Sequence, residues 1–175
     1  MREALVAALI GIALVLPLSD ANAQEAGKSW ATSPTSLPPE LAGWSSRQPT
    51  AAASKAGDLG AATLGIGTGV DATLKSTGDV HYLVRPEKPG GSASYGGLFN
   101  FTVPRAGTYR VALGSGAWID VLKGKTALTS TAHGHGPDCS GIRKMVDFQL
   151  TPGRYTLQVA ANGEPTLPIM IVQLP

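Results

Sequence analysis

Between positions 142 and 160 apolar and polar residues alternate with a period of two. Ile142, Val146, Phe148 and Leu150 share one phase, with Lys144 its one polar member, and Arg143, Asp147 and Gln149 occupy the other. Tyr155, Leu157 and Val159 then alternate with Arg154, Thr156 and Gln158. This is the pattern of a half-buried strand in an antiparallel sheet. Further β-prone runs cover 70–75, 80–85, 97–103, 108–113, 118–122, 126–132 and 167–174, separated by Gly, Pro, Asp and Ser. Many short strands with frequent turn signals predict an all-β sandwich or barrel over 62–175. No stretch carries the capped 3.6-residue periodicity of a substantial helix.

One pattern occurs twice. Phe101-x-Val103 followed by Gly107-x-Tyr109-x-Val111 is matched by Phe148-x-Leu150 followed by Gly153-x-Tyr155-x-Leu157. Each apolar strand meets a Pro/Gly turn and returns through Gly-x-Tyr. Proline pre-sets such a turn and glycine accepts backbone angles that other residues resist. The tyrosine ring fills the edge of the core, and its hydroxyl is in reach of a backbone carbonyl across the turn. Both tyrosines are therefore read as structural.

Upstream of 62 the texture differs. From 24 to 61 the chain is rich in Ala, Ser, Thr and Pro, with no strand or helix period, and reads as a disordered linker. Trp30, Leu37, Leu41 and Trp44 are the exceptions, residues able to dock on the domain or to form a short helical turn. Ahead of the linker, Arg2, the apolar run 4–16, Pro17 and Ala21-Asn22-Ala23 have the three parts of a cleavable secretory signal over 1–23. The run is short of the roughly 20 residues a membrane-spanning helix needs. The expectation is a periplasmic or secreted protein, cleaved after Ala23, with no membrane span thereafter.

Composition narrows the function classes. The chain has 14 basic and 12 acidic residues. Loss of Arg2, Glu3 and Asp20 with the signal leaves 13 against 10, a scattered net charge of +3. No basic stripe is present, which argues against nucleic acid as a partner. The chain has one cysteine, Cys139, so no internal disulfide can form and the fold rests on its hydrophobic core. Cys139 is buried and inert, paired with another chain, or a ligand.

The string from Gly97 to Asp120, with Gly-Leu-Phe-Asn-Phe-Thr-Val, Ala-Gly-Thr-Tyr-Arg-Val-Ala-Leu and Trp-Ile-Asp-Val, resembles the bacterial prepeptidase C-terminal (PPC) type of secreted domain. Leu-Thr-Pro-Gly-Arg-Tyr-Thr-Leu-Gln-Val, at 150–159, is similar to that family's final hairpin. The resemblance covers about residues 62–175 and rests on core and turn positions. It implies an antiparallel jelly-roll-like β-sandwich, an accessory or binding module that accompanies secreted enzymes. Trp118-Ile119-Asp120 and the 133–144 segment are also similar to short exported proteobacterial proteins labelled homogentisate 1,2-dioxygenase. The enzyme of that name is a much longer cupin-type iron protein.

The densest set of potential ligands is His133-Gly-His135-Gly-Pro-Asp138-Cys139. If a strand continues through it, both imidazoles project to one side, and Cys139 or Asp138 completes a metal set from the turn. Two imidazoles with a thiolate suit zinc or copper, and with a carboxylate non-haem iron. His81 and Asp120 are further candidates that only the fold can bring near. The same glycines and proline are also what any long turn uses. A cupin arrangement is disfavoured, since Asp138 stands where its Glu belongs and no histidine follows His135. No Ser sits in a nucleophile-elbow setting, and Gly65-x-Gly67-x-Gly69 has no helix after it to receive a phosphate.

Two functions are therefore carried forward. The first is a non-catalytic module that binds an envelope component, a polysaccharide or a protein, with Tyr82, Tyr95 and Trp118 as aromatic platform candidates. The second is a small metalloprotein, carrier or oxidoreductase, built on His133, His135, Asp138 and Cys139 with zinc, copper or iron.

Overall fold

A computed structural model describes residues 37–175. The signal expected over 1–23 and the first part of the expected linker, 24–36, lie outside the described residues. Twelve strands follow in chain order: β1 (Gln48–Ala51), β2 (Thr63–Leu64), β3 (Gly69–Thr73), β4 (Lys75–Ser76), β5 (Tyr95–Val103), β6 (Gly107–Leu113), β7 (Trp118–Lys123), β8 (Thr126–Ala127), β9 (Ala132–Gly134), β10 (Lys144–Leu150), β11 (Gly153–Asn162) and β12 (Thr166–Gln173). They form two sheets, ordered β1-β3-β12-β6-β10-β9 and β2-β5-β11-β7-β8, with β4 beside β5. The protein is an all-β sandwich. Its sheets are mixed rather than wholly antiparallel, because β1 runs parallel to β3 and β2 parallel to β5.

The sequence echo explains the centre of the sandwich. β5 and β6 belong to different sheets, and so do β10 and β11, so each Pro/Gly turn is an arch between sheets and not a hairpin. The Tyr109 hydroxyl donates to the Arg105 carbonyl at 2.9 Å, and that of Tyr155 to the Thr151 carbonyl at 2.8 Å. Each arch is thus closed by its own tyrosine, four residues on. The two arches also interlock. Phe148 stands opposite Tyr109 in one sheet, and Tyr155 opposite Phe101 in the other, where the rings stack with centroids 5.6 Å apart. Phe99, Phe101, Tyr109, Leu157 and Ile169 are fully buried between the sheets.

From Leu37 onward the chain expected as linker is instead built onto the sandwich. A 3-10 helix, Pro39–Ser45, lays Leu41 and Trp44 on the outer face of the β1-to-β9 sheet. There they pack with Ala112, Ile142, Met170 and Val172 as a second apolar cluster. The Trp44 indole N–H donates to the Ser140 carbonyl at 3.0 Å, and Arg47 pairs with Asp71 at 2.7 Å. A Cβ on Gly43 would collide with the Gly67 carbonyl, so this close backbone approach needs glycine. On the same sheet face Arg110 holds the buried Asp147 in a two-pronged ion pair at 2.7 and 2.8 Å.

Three sequence expectations are redrawn by the fold. Ile142 precedes β10 and belongs to the outer cluster with Trp44, so it does not share the inward side of Val146 and Phe148. The run at 80–85 is not a strand. It folds over the outer face of the other sheet, where Gln158 takes its backbone partners: the N–H groups of Leu83 and Val84 donate to Gln158 Oε1 at 2.7 and 3.2 Å. Gln158 Nε2 donates in turn to the Val84 carbonyl at 3.0 Å. Finally, 126–132 is divided, because the chain leaves one sheet after β8 and joins the other at β9. That crossing creates the mouth where the candidate site lies. Among the described residues no helix is long and apolar enough to cross a membrane.

Candidate functional site

β8 and β9 are edge strands of opposite sheets. Between them the sandwich opens into a cleft of about 750 Å³, within the size range of small-molecule sites. Its inner wall is apolar, formed by Ile119 from β7 with Val146 and Phe148 from β10, all buried, and by the half-buried Leu128. Its rim is polar and exposed, carrying Glu87 and Lys88 from the covering loop, His133 from β9, and His135 and Arg143 beyond it. Trp118, Asp120 and Lys144 stand at the junction, each partly buried.

The alternation of the two strands places these three residues. Trp118 and Asp120 lie one step either side of the buried Ile119, opposite Ala160 and Gln158 of β11. The Trp118 indole N–H donates to Asp120 Oδ1 at 3.1 Å, and Gln158 Nε2 approaches Asp120 Oδ2 at 3.4 Å. Lys144 begins β10, and its ammonium donates to the Ala117 carbonyl at 2.8 Å. That ammonium also lies over the Trp118 ring, 5.7 Å from the centroid, and the Lys88 ammonium lies over the same ring at 5.5 Å. Such contacts contribute about 0.5–1 kcal/mol each at exposed sites.

Charge and burial disturb both ionisable groups beside the indole. Burial raises the Asp120 carboxyl above the ordinary value; hydrogen bonds from Trp118 and Gln158 offset part of this, Glu87 adds to it and Lys144 opposes it. Burial lowers the Lys144 ammonium, the like charge of Lys88 lowers it further, and Asp120 partly compensates. Perturbed groups of opposite type in one cleft are a recurrent property of binding and catalytic sites.

The structure brings some of the residues singled out in the sequence together and separates others. His133 and His135 both line the one cleft, with Asp120 and Trp118. His133 stands opposite Val146, and His135 Nδ1 is 2.9 Å from the Arg143 carbonyl. Asp138 and Cys139 lie on the exposed turn after them, Cys139 with a left-handed φ of 58°. Cys139 is exposed, not tucked into the core. Among the described residues no group of three or more His, Cys, Asp or Glu is placed to hold a metal ion. His81 is exposed, and its backbone N–H is bonded to Ser54. Tyr82 and Tyr95 pack against the core, and the Tyr82 hydroxyl donates to the Val159 carbonyl at 3.1 Å. Trp118 is the one aromatic platform candidate that lines the cleft.

No family model and no curated protein matches the chain. Among solved structures, the pre-peptidase C-terminal domain of a collagenase from Bacillus anthracis is similar at 17% identity, with a TM-score of 0.37, over 71% of this chain and 95% of that domain.

Glu87 and Lys88 were missed in the sequence because loop charges carry no periodic signal, and Arg143 was read only as a member of the polar phase of its run. Lys144 did leave a trace. It is the polar interruption in the inward phase of β10, and a lysine in an apolar phase marks a place where the core opens.

Proposed function

We propose that the protein is an exported, non-catalytic binding module of the bacterial envelope, and that it takes a saccharide of an envelope polysaccharide in the β8/β9 cleft. The observation that carries this reading is the amphipathic cleft itself, with Trp118 held at the junction of an apolar wall and a rim of hydrogen-bonding groups. Sugars present apolar C–H faces and polar edges, and a wall of this kind with a few convergent polar side chains meets both. Export is supported by the pattern of residues 1–23, which has the parts of a secretory signal. The non-catalytic reading is supported by the resemblance to accessory modules.

The test is titration of the protein with envelope oligosaccharides, read by calorimetry and by tryptophan fluorescence. Binding is expected, and Trp118→Ala is expected to weaken it at least about tenfold, the scale of one buried aromatic contact. Equal binding by the variant would remove the cleft from the reading.

A further inference from the structure

The cleft contains a positive locus that its carboxylates offset only in part. Lys88 and Lys144 both direct ammonium groups over the Trp118 ring. Among the described residues the ion pairs are Arg47–Asp71 and Arg110–Asp147, so neither lysine is in one. Lys144 donates to the Ala117 carbonyl, which leaves two of its three N–H donors free. Asp120 opposes the charge of Lys144, but its oxygens accept from Trp118 and Gln158. Glu87, next to Lys88 in the chain, is the one exposed carboxylate on the rim, opposed there by Arg143 as a further cation.

We infer that the saccharide is an acidic one, a uronate or a sulfate ester, whose anionic group is held between the Lys88 and Lys144 ammonium groups beside Trp118. This rests on the saccharide reading above and sharpens it. In the unliganded protein the two ammonium groups repel each other, and one of them is partly stripped of water. An anion between them removes the repulsion and accepts charge-assisted hydrogen bonds, which are about twice as strong as neutral ones. Contact with the indole already restrains both ammonium groups, so less side-chain freedom is lost on binding. Burial is the main cause that lowers the Lys144 ammonium, and the further lowering by the like charge of Lys88 is the part that an anion beside the two would relieve.

The experiment compares three probes on the intact protein: an oligogalacturonate, the same oligomer as its neutral methyl ester, and a sulfated galactan oligosaccharide. Each is titrated into the wild type, Lys88→Gln, Lys88→Arg and Trp118→Ala. Lys88 is exposed, so its variants do not threaten the fold. The expected result is that one or both acidic probes bind at least about tenfold tighter than the ester. Lys88→Gln should abolish this preference, Lys88→Arg should keep it, and high salt should shrink it. Whichever acid is preferred identifies the anionic group. Equal binding of ester and acids, lost in Trp118→Ala, would overturn the acidic ligand and leave the saccharide reading intact. A preference for acid that Lys88→Gln leaves unchanged would also overturn it, by placing the anion elsewhere. Failure of all three probes to bind, or binding that Trp118→Ala does not alter, would bring down the saccharide reading and this inference with it.

Discussion

Truncating Trp44 to alanine tests whether the segment before the sandwich is part of the folding unit. Trp44 is 3% exposed and lies against Leu41, Ile142 and Met170. An indole buries roughly 200 Å², which at about 25 cal/mol per Å² corresponds to about 5 kcal/mol. The compactness of real unfolded chains removes up to about two-fifths of that, leaving about 3 kcal/mol. The hydrogen bond to the Ser140 carbonyl adds about 1 kcal/mol. Trp44→Ala is therefore expected to destabilise the protein by about 4 kcal/mol, and Trp44→Phe, which keeps most of the apolar contact, by about 1–2 kcal/mol. The assay is urea unfolding of the protein beginning at Gln24, followed by circular dichroism so that loss of the fluorophore does not interfere. For a domain of this size the larger loss corresponds to a fall in Tm of roughly 10 °C. If Trp44→Ala left the midpoint within about 0.5 kcal/mol of wild type, the level of an ordinary surface substitution, the docking described here would be refuted.

Two further outcomes follow from the covering loop and the cleft. Gln158→Leu removes the side chain that pairs the backbone of Leu83 and Val84. It is expected to cost roughly 2–3 kcal/mol and to expose both amides to hydrogen exchange; unchanged protection there would show that the loop is held by other contacts. For Asp120 the folded-state carboxyl is raised above 3.8, so the stability it lends is fully present below about pH 3.8 and is lost as pH rises through the folded value. Asp120→Asn should therefore gain on wild type in urea midpoint between about pH 3 and pH 6. A wild type that gains on the variant over that interval would reverse the sign and refute the assignment.

The centre of the fold was legible because its signals are local. Tyr109 and Tyr155 each sit in a Gly-x-Tyr return after a Pro/Gly turn, and each bonds to a carbonyl four residues back, within one window of sequence. The pairing of one arch with the other was not legible, since hairpin and inter-sheet arch use the same turn residues. Trp44 was visible as a residue able to dock or to form a helical turn, but the place where it docks was not, for the opposite reason. It stands among Ala, Ser and Pro, and the carbonyl that receives its N–H is 96 positions away. The run at 80–85 has strand composition, but its hydrogen bonds go to the side chain of Gln158, which no pattern of period two foretells. For the cleft, His133, His135, Asp120 and Trp118 were visible as residue types, and Lys144 as a break in phase. Their meeting depends on the chain changing sheets between β8 and β9. Asp138 and Cys139 were grouped with the histidines by proximity in sequence, but the glycine-rich turn carries them away.

The strand Gln48–Ala51 also acts as a guard. It occupies the rim of the sheet beside Val70 to Thr73, and its own outer side carries Pro49, which has no N–H to offer a further strand. A chain trimmed to the compositional boundary at 62 would lose this cover together with Leu41 and Trp44. It would bare both an open strand edge and the apolar patch of Ala112, Met170 and Val172. Bare edges next to apolar surface are the usual route to self-association. The stretch from 37 to 61 thus covers surface that would favour self-association if bared, and any shortened version needs to begin ahead of it.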